Sequence, residues 1–254
     1  MTKTRVAAVP DAGAALGSVA ELWRYPVKSL QGQRCESVKV TTRGLAGDRE
    51  YALVHADGRL ASGKTTRRFR QVDGLLDLQA ALDEEGELAI GFPDGQHHAA
   101  GALGLTRALR NSFGADVALR GETDRAHFDD GPVHLLTSAS LAWLAKRLPA
   151  VDIEARRFRP NIVLDVPGEG LVEQQWPGAV LHLGASVRLR ITTATSRCRM
   201  VTLPQPGLAA GQPVLQRLVA EAGGDFGVYA EVLTTGELRC GDEVRLLAQP
   251  GSSH

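Results

Sequence analysis

From Ser18 onward the chain runs in short stretches where apolar and polar positions alternate, broken by Gly and Asp: SVAELWRYPV, CESVKVTT, EYALVHADGRLAS and LLDLQAALDEEGELAIGFPDG. Period-two alternation of this length predicts strands with one buried face. ADGR (56–59) and DEEGE (83–87) read as hairpin turns, because a Gly after an acidic residue supplies the positive φ of a tight turn. The first half therefore reads as an open or closed antiparallel barrel. In LGLTRALRNSFG (103–114) the apolar spacing changes to that of a helix ending at Gly114. PVHLLTSASLAWLAKRLPA then gives a strand, a Ser/Thr-rich N-cap region and a helix stopped near Pro149. A strand entered through Pro (RRFRPNIVLDV), a hairpin (WPGAVLHLGASVRLRITTAT) and a helix (PVLQRLVAEAG) follow, and AEVLTTGELRCGDEVRLL is expected to close the chain as a Gly-turned hairpin. Residues 1–17 and Gly251–His254 lack periodicity and are expected to be loose. No internal repeat or low-complexity tract is present.

Composition bounds the function classes. The 254 residues carry 29 Lys+Arg against 29 Asp+Glu. With no net charge, a polyanion such as nucleic acid is not expected as the main partner, and any anion site must be local. No apolar run reaches the length of a membrane span and the N-terminus lacks a secretory pattern, so the expected location is the cytoplasm, with no membrane partner. Cys35, Cys198 and Cys240 form neither a zinc pattern nor a disulfide framework, and are too few for an iron–sulfur cluster held by this chain alone. The seven histidines show no ligand spacing, and no GxSxG motif supports a serine hydrolase.

Cys198 is the cysteine placed to do chemistry. It lies between Arg197 and Arg199 at the end of the strand-like run VRLRITTAT. Neighbouring cations favour thiolate, the nucleophilic form and the one that binds soft metals. A lone cysteine at a strand end is more often a small buried hydrophobe, and that reading is kept for Cys240, while Cys35 has no basic motif around it. Around Cys198 the balance changes because of four other segments: WRYPVKSLQG (23–32), GLAGDREYALV (44–54), RFRPNIVLD (157–165) and DFGVYAEVLTTGELRCGDEV (225–244).

Together with SRC (196–198) and in this order, these segments resemble the MOSC family, and most of all its two-part members in which a MOSC N-terminal β-barrel precedes the MOSC domain. The resemblance runs from about Ser18 to about Leu247. It implies a β-rich α+β fold of two packed β-barrel-like domains, 15–112 and 113–249, with a ligand between them. It also implies a molybdenum cofactor and reduction of N-hydroxylated small molecules, as in the amidoxime-reducing members. By the same resemblance Cys198 is the metal ligand, and Lys28, Ser29 and Arg49 bind the pterin phosphate. Arg159 and Asn161 contact the cofactor, Asp129 (or Asp130) lies near the pterin, and Tyr229 lies by the site. Ser196 and Arg197 complete the Ser-Arg-Cys loop, with Thr137 and Ser138 as further candidates. An extended segment would put Arg197 on the face opposite Cys198; a bend after the strand would bring it in.

Two features depart from the family pattern or exceed it. After Cys198 relatives often have Thr and then Asp-Pro, whereas here the run is Arg-Met-Val-Thr202-Leu-Pro204, which bears on substrate preference. TTRRFRQV (65–72) is more basic than a barrel loop requires; it reads as a solvated edge, or as a dock for an acidic redox partner or a carboxylate-bearing substrate. Arg24, Arg43, Arg67, Arg68 and Arg70 are read as surface charges. With no flavin or cluster motif, electrons are expected from a separate flavin or iron–sulfur protein. The alternative is a sulfur-carrier or cofactor-transfer protein in which Cys198 bears a persulfide or binds the cofactor to pass it on.

Overall fold

A computed structural model describes Gly13, residues 15–114 and residues 116–247; the ends expected to be loose lie, but for Gly13 and residues 15–17, outside the described residues. The first part of the chain forms β1 (Ala15–Arg24), β2 (Gln33–Cys35), β3 (Ser37–Thr41), β4 (Gly44–Leu45), β5 (Tyr51–His55), β6 (Leu60–Ser62) and β7 (Phe69–Gln71). It continues with β8 (Gln79–Leu82), β9 (Leu88–Gly91), β10 (His97–Ala99), α1 (Leu103–Phe113) and β11 (Val117–Gly121). The remainder forms β12 (Val133–Thr137), α2 (Ser138–Arg147), β13 (Ile162–Asp165), β14 (Val180–Leu183), β15 (Val187–Ser196), α3 (Gln212–Ala222), β16 (Asp225–Thr234), β17 (Gly236–Arg239) and β18 (Glu243–Leu247). No helix among the described residues is long and apolar enough to cross a membrane.

The largest sheet closes on itself. Its order β13-β12-β16-β15-β14-β18-β1 returns to β13 through Val19↔Leu164 and Leu22↔Ile162, with β2 appended to β1. β12 and β13 run parallel, and the other ring pairs are antiparallel. Inward residues of every ring strand, among them Leu22, Leu135, Ile162, Leu181, Leu189, Val228 and Val244, fill one core. At 25 cal/mol per Å² such side chains each contribute about 1.5–3 kcal/mol, which is why alternation was visible in these strands. α2 starts at Thr137, whose Oγ1 accepts the Ser140 N–H at 3.1 Å, and ends two residues before Pro149. α1 ends at Gly114 (φ 96), and α3 at Gly223 (φ 64).

Among the described residues only one barrel is closed, which corrects the expectation of two. The first half instead forms a four-stranded sheet β11-β5-β6-β7, a three-stranded sheet β10-β9-β8, and β4-β3 joined by β17. Its strands are mostly two to five residues long, too short to supply a continuous ladder around a ring, and its longest strand, β1, is taken by the other barrel. These sheets cover a separate core around Val27, Leu30, Leu53, Ile90, Leu105 and Leu109. The two turns read from the sequence are present: His55 and Arg59 flank Gly58 (φ 81), and Asp83 and Glu87 flank Gly86 (φ 87).

The closing segment is a second correction. AEVLTTGELRCGDEVRLL turns at Gly241 (φ 90), but its strands do not pair with one another: β16 joins β12 and β15, β17 joins β3, and β18 joins β14 and β1. Long-range partners with larger apolar faces outcompete the local hairpin. Sheets also cross position 112/113, since β1 pairs within the barrel and β11 pairs with β5.

Candidate functional site

Where the closed barrel meets the first-half sheets, three backbone segments are tied together. The Lys28 N–H donates to Tyr51 O at 2.8 Å and the Arg49 N–H to Tyr25 O at 2.7 Å, joining YPVKS to GDRE. Asn161 joins FRPN to both neighbours: its N–H donates to His134 O at 2.7 Å, its carbonyl accepts from Trp23 at 2.8 Å, and its side-chain Oδ1 accepts from His134 N–H at 3.1 Å and Arg49 Nη1 at 3.3 Å. Three non-glycine residues have positive φ among the described residues: Ser29 (66°), Arg49 (54°) and Arg159 (57°). All three sit at one cleft. Left-handed backbone costs a residue with a Cβ about 1–2 kcal/mol and clusters where function fixes a side chain.

The cleft is open to solvent. Lys28, Ser29, Arg49, Asp129, Arg159, Asn161, Ser196, Arg197, Cys198 and Tyr229 all line it, together with Asp130. The ten residues named from the sequence are therefore brought together, from both halves of the chain. Thr137 and Ser138 are not: Thr137 caps α2 and donates to the buried Glu173 carboxylate at 2.7 Å, and Ser138 bonds Asp165.

The bend after β15 settles which way Arg197 faces. Ser196 is the last strand residue, held by a 2.7 Å bond from its Oγ to Asp225 Oδ1, and the ladder slips between Ala194 and Ser196. Alternation ends there, so Arg197 and Cys198 line the same cleft. The Arg197 guanidinium donates to Phe158 O at 2.6 Å and, through Nη1, to His134 Nε2 at 3.4 Å. His134 Nδ1 lies 3.3 Å from Arg159 O, an acceptor, so Nδ1 carries the proton and Nε2 receives. Burial, with Arg197 beside it, pushes the imidazolium form well below the usual histidine range. Gly227 (φ 83) packs over this ring: a Cβ there would lie 2.5 Å from Nε2 and 2.6 Å from Leu135 O.

The cations are held out of water against specific partners. Lys28, 4% exposed, pairs with Asp129 at 3.2 Å. Burial pulls its ammonium down to about 8 against the opposing attraction of Asp129. Burial alone would raise the Asp129 carboxyl, but Lys28 and then Lys64 hold it below the usual range. Arg49 pairs with the fully buried Asp48, whose Oδ1 also accepts the Tyr25 N–H at 2.8 Å. Arg49 and Arg159 lie over the Tyr25 ring, at 4.9 and 4.3 Å. Burial lowers Arg159 to about 10. Tyr229, raised to about 12 chiefly by burial, keeps its hydroxyl proton at neutral pH. Arg159 Nη2 and Arg197 Nε are buried without a hydrogen-bond partner. Buried guanidinium N–H groups left open cost about 1–3 kcal/mol each, and an anionic ligand with acceptor oxygens is the natural partner for them.

Asp48, Tyr25 and His134 were not singled out from the sequence, and Ser62, Lys64 and Met200 also line the cleft unforeseen. His134 carried one signal, a histidine inside the buried strand VHLLT. Arg43 and Arg68, read as surface charges, are instead structural: Arg43 bonds Glu122 and the Asp48 carbonyl, and Arg68 donates to Ala126 O and, at 2.8 Å, to Phe128 O, holding the segment that delivers Asp129. Cys35 and Cys240 pack against the barrel core, and Cys240 Sγ lies 3.5 Å from Cys35 O.

A closed seven-stranded barrel with short accessory sheets and a cation-lined cleft beside a cysteine defines a MOSC-type protein, and the chain belongs to the MOSC family: the MOSC domain matches residues 108–245 and the MOSC N-terminal beta barrel domain residues 16–129. It is 27% identical over 289 residues to human mitochondrial amidoxime-reducing component 1, covering 92% of this chain and 84% of that protein. Rat mitochondrial amidoxime reducing component 2 is 26% identical, over 90% and 83% of the two chains. Among solved structures the YuaD protein from Bacillus subtilis shares the fold, with TM-score 0.50, 12% identity and 91% and 94% coverage.

Proposed function

We propose that the cleft holds a molybdenum cofactor and that the protein is a reductase of N-hydroxylated compounds, with residues 15–112 and 113–249 as the two units sharing the cofactor. One observation carries the reading: Arg159 and Arg197, each with a buried N–H left open, converge with Lys28 on the cleft that Cys198 lines. An anion site and a soft sulfur donor thus stand side by side, the pair that a phosphate-bearing dithiolene cofactor requires. Among the described residues no three His, Cys, Asp or Glu side chains are grouped to hold a metal. A cofactor bringing two sulfurs of its own needs only one more from the chain. The relatives named for amidoxime reduction support the substrate class.

When bound, molybdenum supplies the two-electron removal of oxygen from an N–O bond, giving amine and water with two protons. The chain's residues do the rest. Lys28, Ser29, Arg49, Arg159 and Arg197 would hold the phosphate and pterin oxygens, and Asn161 fixes Arg49 and the FRPN turn. Tyr229 Oη, protonated at neutral pH and lining the cleft, would be available as a hydrogen-bond donor to a bound substrate, and Asp129 favours the charged form of Lys28. Electrons come from a separate flavin or iron–sulfur protein.

The test is metal-replete protein assayed with reduced viologen on benzamidoxime. Wild type should turn over, and Cys198→Ala should lose turnover while staying folded. No turnover, with a persulfide on Cys198 detected by mass spectrometry, would instead support a sulfur carrier.

A further inference from the structure

Two segments meet beside Cys198, and neither carries a negative charge. From Leu60 to Val72 and from Gln174 to Ala220 the sequence contains no Asp or Glu. They touch at Gly63, where an added Cβ would overlap Met200 Sδ and lie 3.1 Å from Leu203 Cδ1. Asp73, 77% exposed, forms a loose 3.7 Å pair with Arg199 of the second segment. Such a pair contributes little in water.

The cations of the first segment have different tasks. Arg68 is turned to the Ala126 and Phe128 carbonyls, and Arg70 pairs with Asp116 at 3.0 Å. Lys64, half-buried, lines the cleft together with Cys198 and Met200. The other lining cations have acceptors: Lys28 has Asp129, Arg49 has Asp48, and Arg159 and Arg197 have the Leu30 and Phe158 carbonyls. Lys64 has no hydrogen bond or close ion pair among the described residues; its Nζ lies 5.1 Å from the Phe69 ring centre, and Asp129 feels its charge only from beyond contact distance. A half-buried ammonium without a hydrogen-bond acceptor, in a cleft whose Asp129 is already paired with Lys28, is open to a ligand that brings its own anion.

We propose that the preferred substrates carry a carboxylate beside the N–O group and that Lys64 Nζ binds it. This rests on the reductase reading above. It assigns a role to the basic run after β6 that neither hairpin geometry nor the deeper anion site requires.

The experiment compares benzamidoxime with 4-carboxybenzamidoxime, using metal-replete wild type, Lys64→Gln and Lys64→Arg with a viologen donor. Wild type should favour the carboxylate by about tenfold in kcat/KM, as one charge-assisted bond allows. Lys64→Gln should bring the ratio near one and Lys64→Arg should keep it; added salt should shrink it. Calorimetric Kd values for the two compounds should show the same ratio without turnover. Equal kcat/KM in wild type, or a preference that survives Lys64→Gln, overturns the proposal. So does loss of molybdenum in Lys64→Gln, which would assign Lys64 to the cofactor. Absence of turnover on both compounds refutes the reductase reading and this proposal with it, whereas turnover of both without preference refutes only this one.

Discussion

Replacing Asp48 with Asn should destabilise the protein strongly although Asp48 does not line the cleft. Its carboxylate is fully buried and meets the Arg49 guanidinium, itself 13% exposed, and the Tyr25 N–H at 2.8 Å. Asp48→Asn keeps an acceptor for Tyr25 but strands the Arg49 charge, and breaking a buried ion pair from one side costs about 3–5 kcal/mol. Arg49→Met strands Asp48 and should cost a similar amount. The double variant removes both charges and leaves neutral groups of similar shape, so it should cost less than either single change. At about 2–4 °C per kcal/mol for a chain of this size, each single variant should lower Tm by roughly 6–20 °C. Urea and thermal unfolding of the four proteins, without cofactor, give the coupling energy directly. If the two single costs simply add, Asp48 and Arg49 do not act as a buried pair, and the account of how Arg49 is held fails.

Two further outcomes follow from groups around Lys28. Its pKa of about 8 lies below the ordinary 10.5, so it is charged below pH 8 and neutral above; sulfate, a dianion throughout, should bind cofactor-free protein less well as pH rises from 7 to 9, and Lys28→Gln should flatten that profile. The stability effect has the opposite sign, because a depressed lysine lets the unfolded chain hold the extra proton, so stability should rise between pH 8 and 10.5 through this group; titration calorimetry and urea melts across pH separate the two. Arg68→Ala should free the Ala126 and Phe128 carbonyls and speed amide hydrogen exchange across residues 126–131, whereas Arg67→Ala, at an exposed position, should not.

What could be read in the sequence was what is local or carried by side-chain type. The turns at Gly58 and Gly86, the helix ending at Gly114 and the cap at Thr137 each depend on a few neighbouring residues. The pairing of β17 with β3, or of β1 with β18, depends on residues far apart in the chain and leaves no short-range mark, so a closing hairpin and a second barrel seemed the simpler readings. At the cleft, lysine, arginine and cysteine announce themselves by charge and sulfur. Asp48, Tyr25 and His134 act by holding those groups, and nothing in their spacing shows that they are buried against a guanidinium. The direction of Arg197 turned on a ladder slip at Ala194 to Ser196, which alternation cannot foresee.

The seam of the barrel joins β1 to β18, the first and last strands among the described residues. Ala15 faces Arg245 and Ser18 faces Glu243, so β1 emerges from the ribosome long before β18, the partner that completes its edge. Through most of synthesis β1 is an unfinished template, with Val19 and Leu22 on one side and open amides along its rim. A nascent chain halted before Glu243 leaves that rim unsealed, along with the edge of β14 that β18 would cover. Closure of the barrel is thereby tied to β18, and products truncated before it carry an exposed strand edge for chaperones or proteases to recognise.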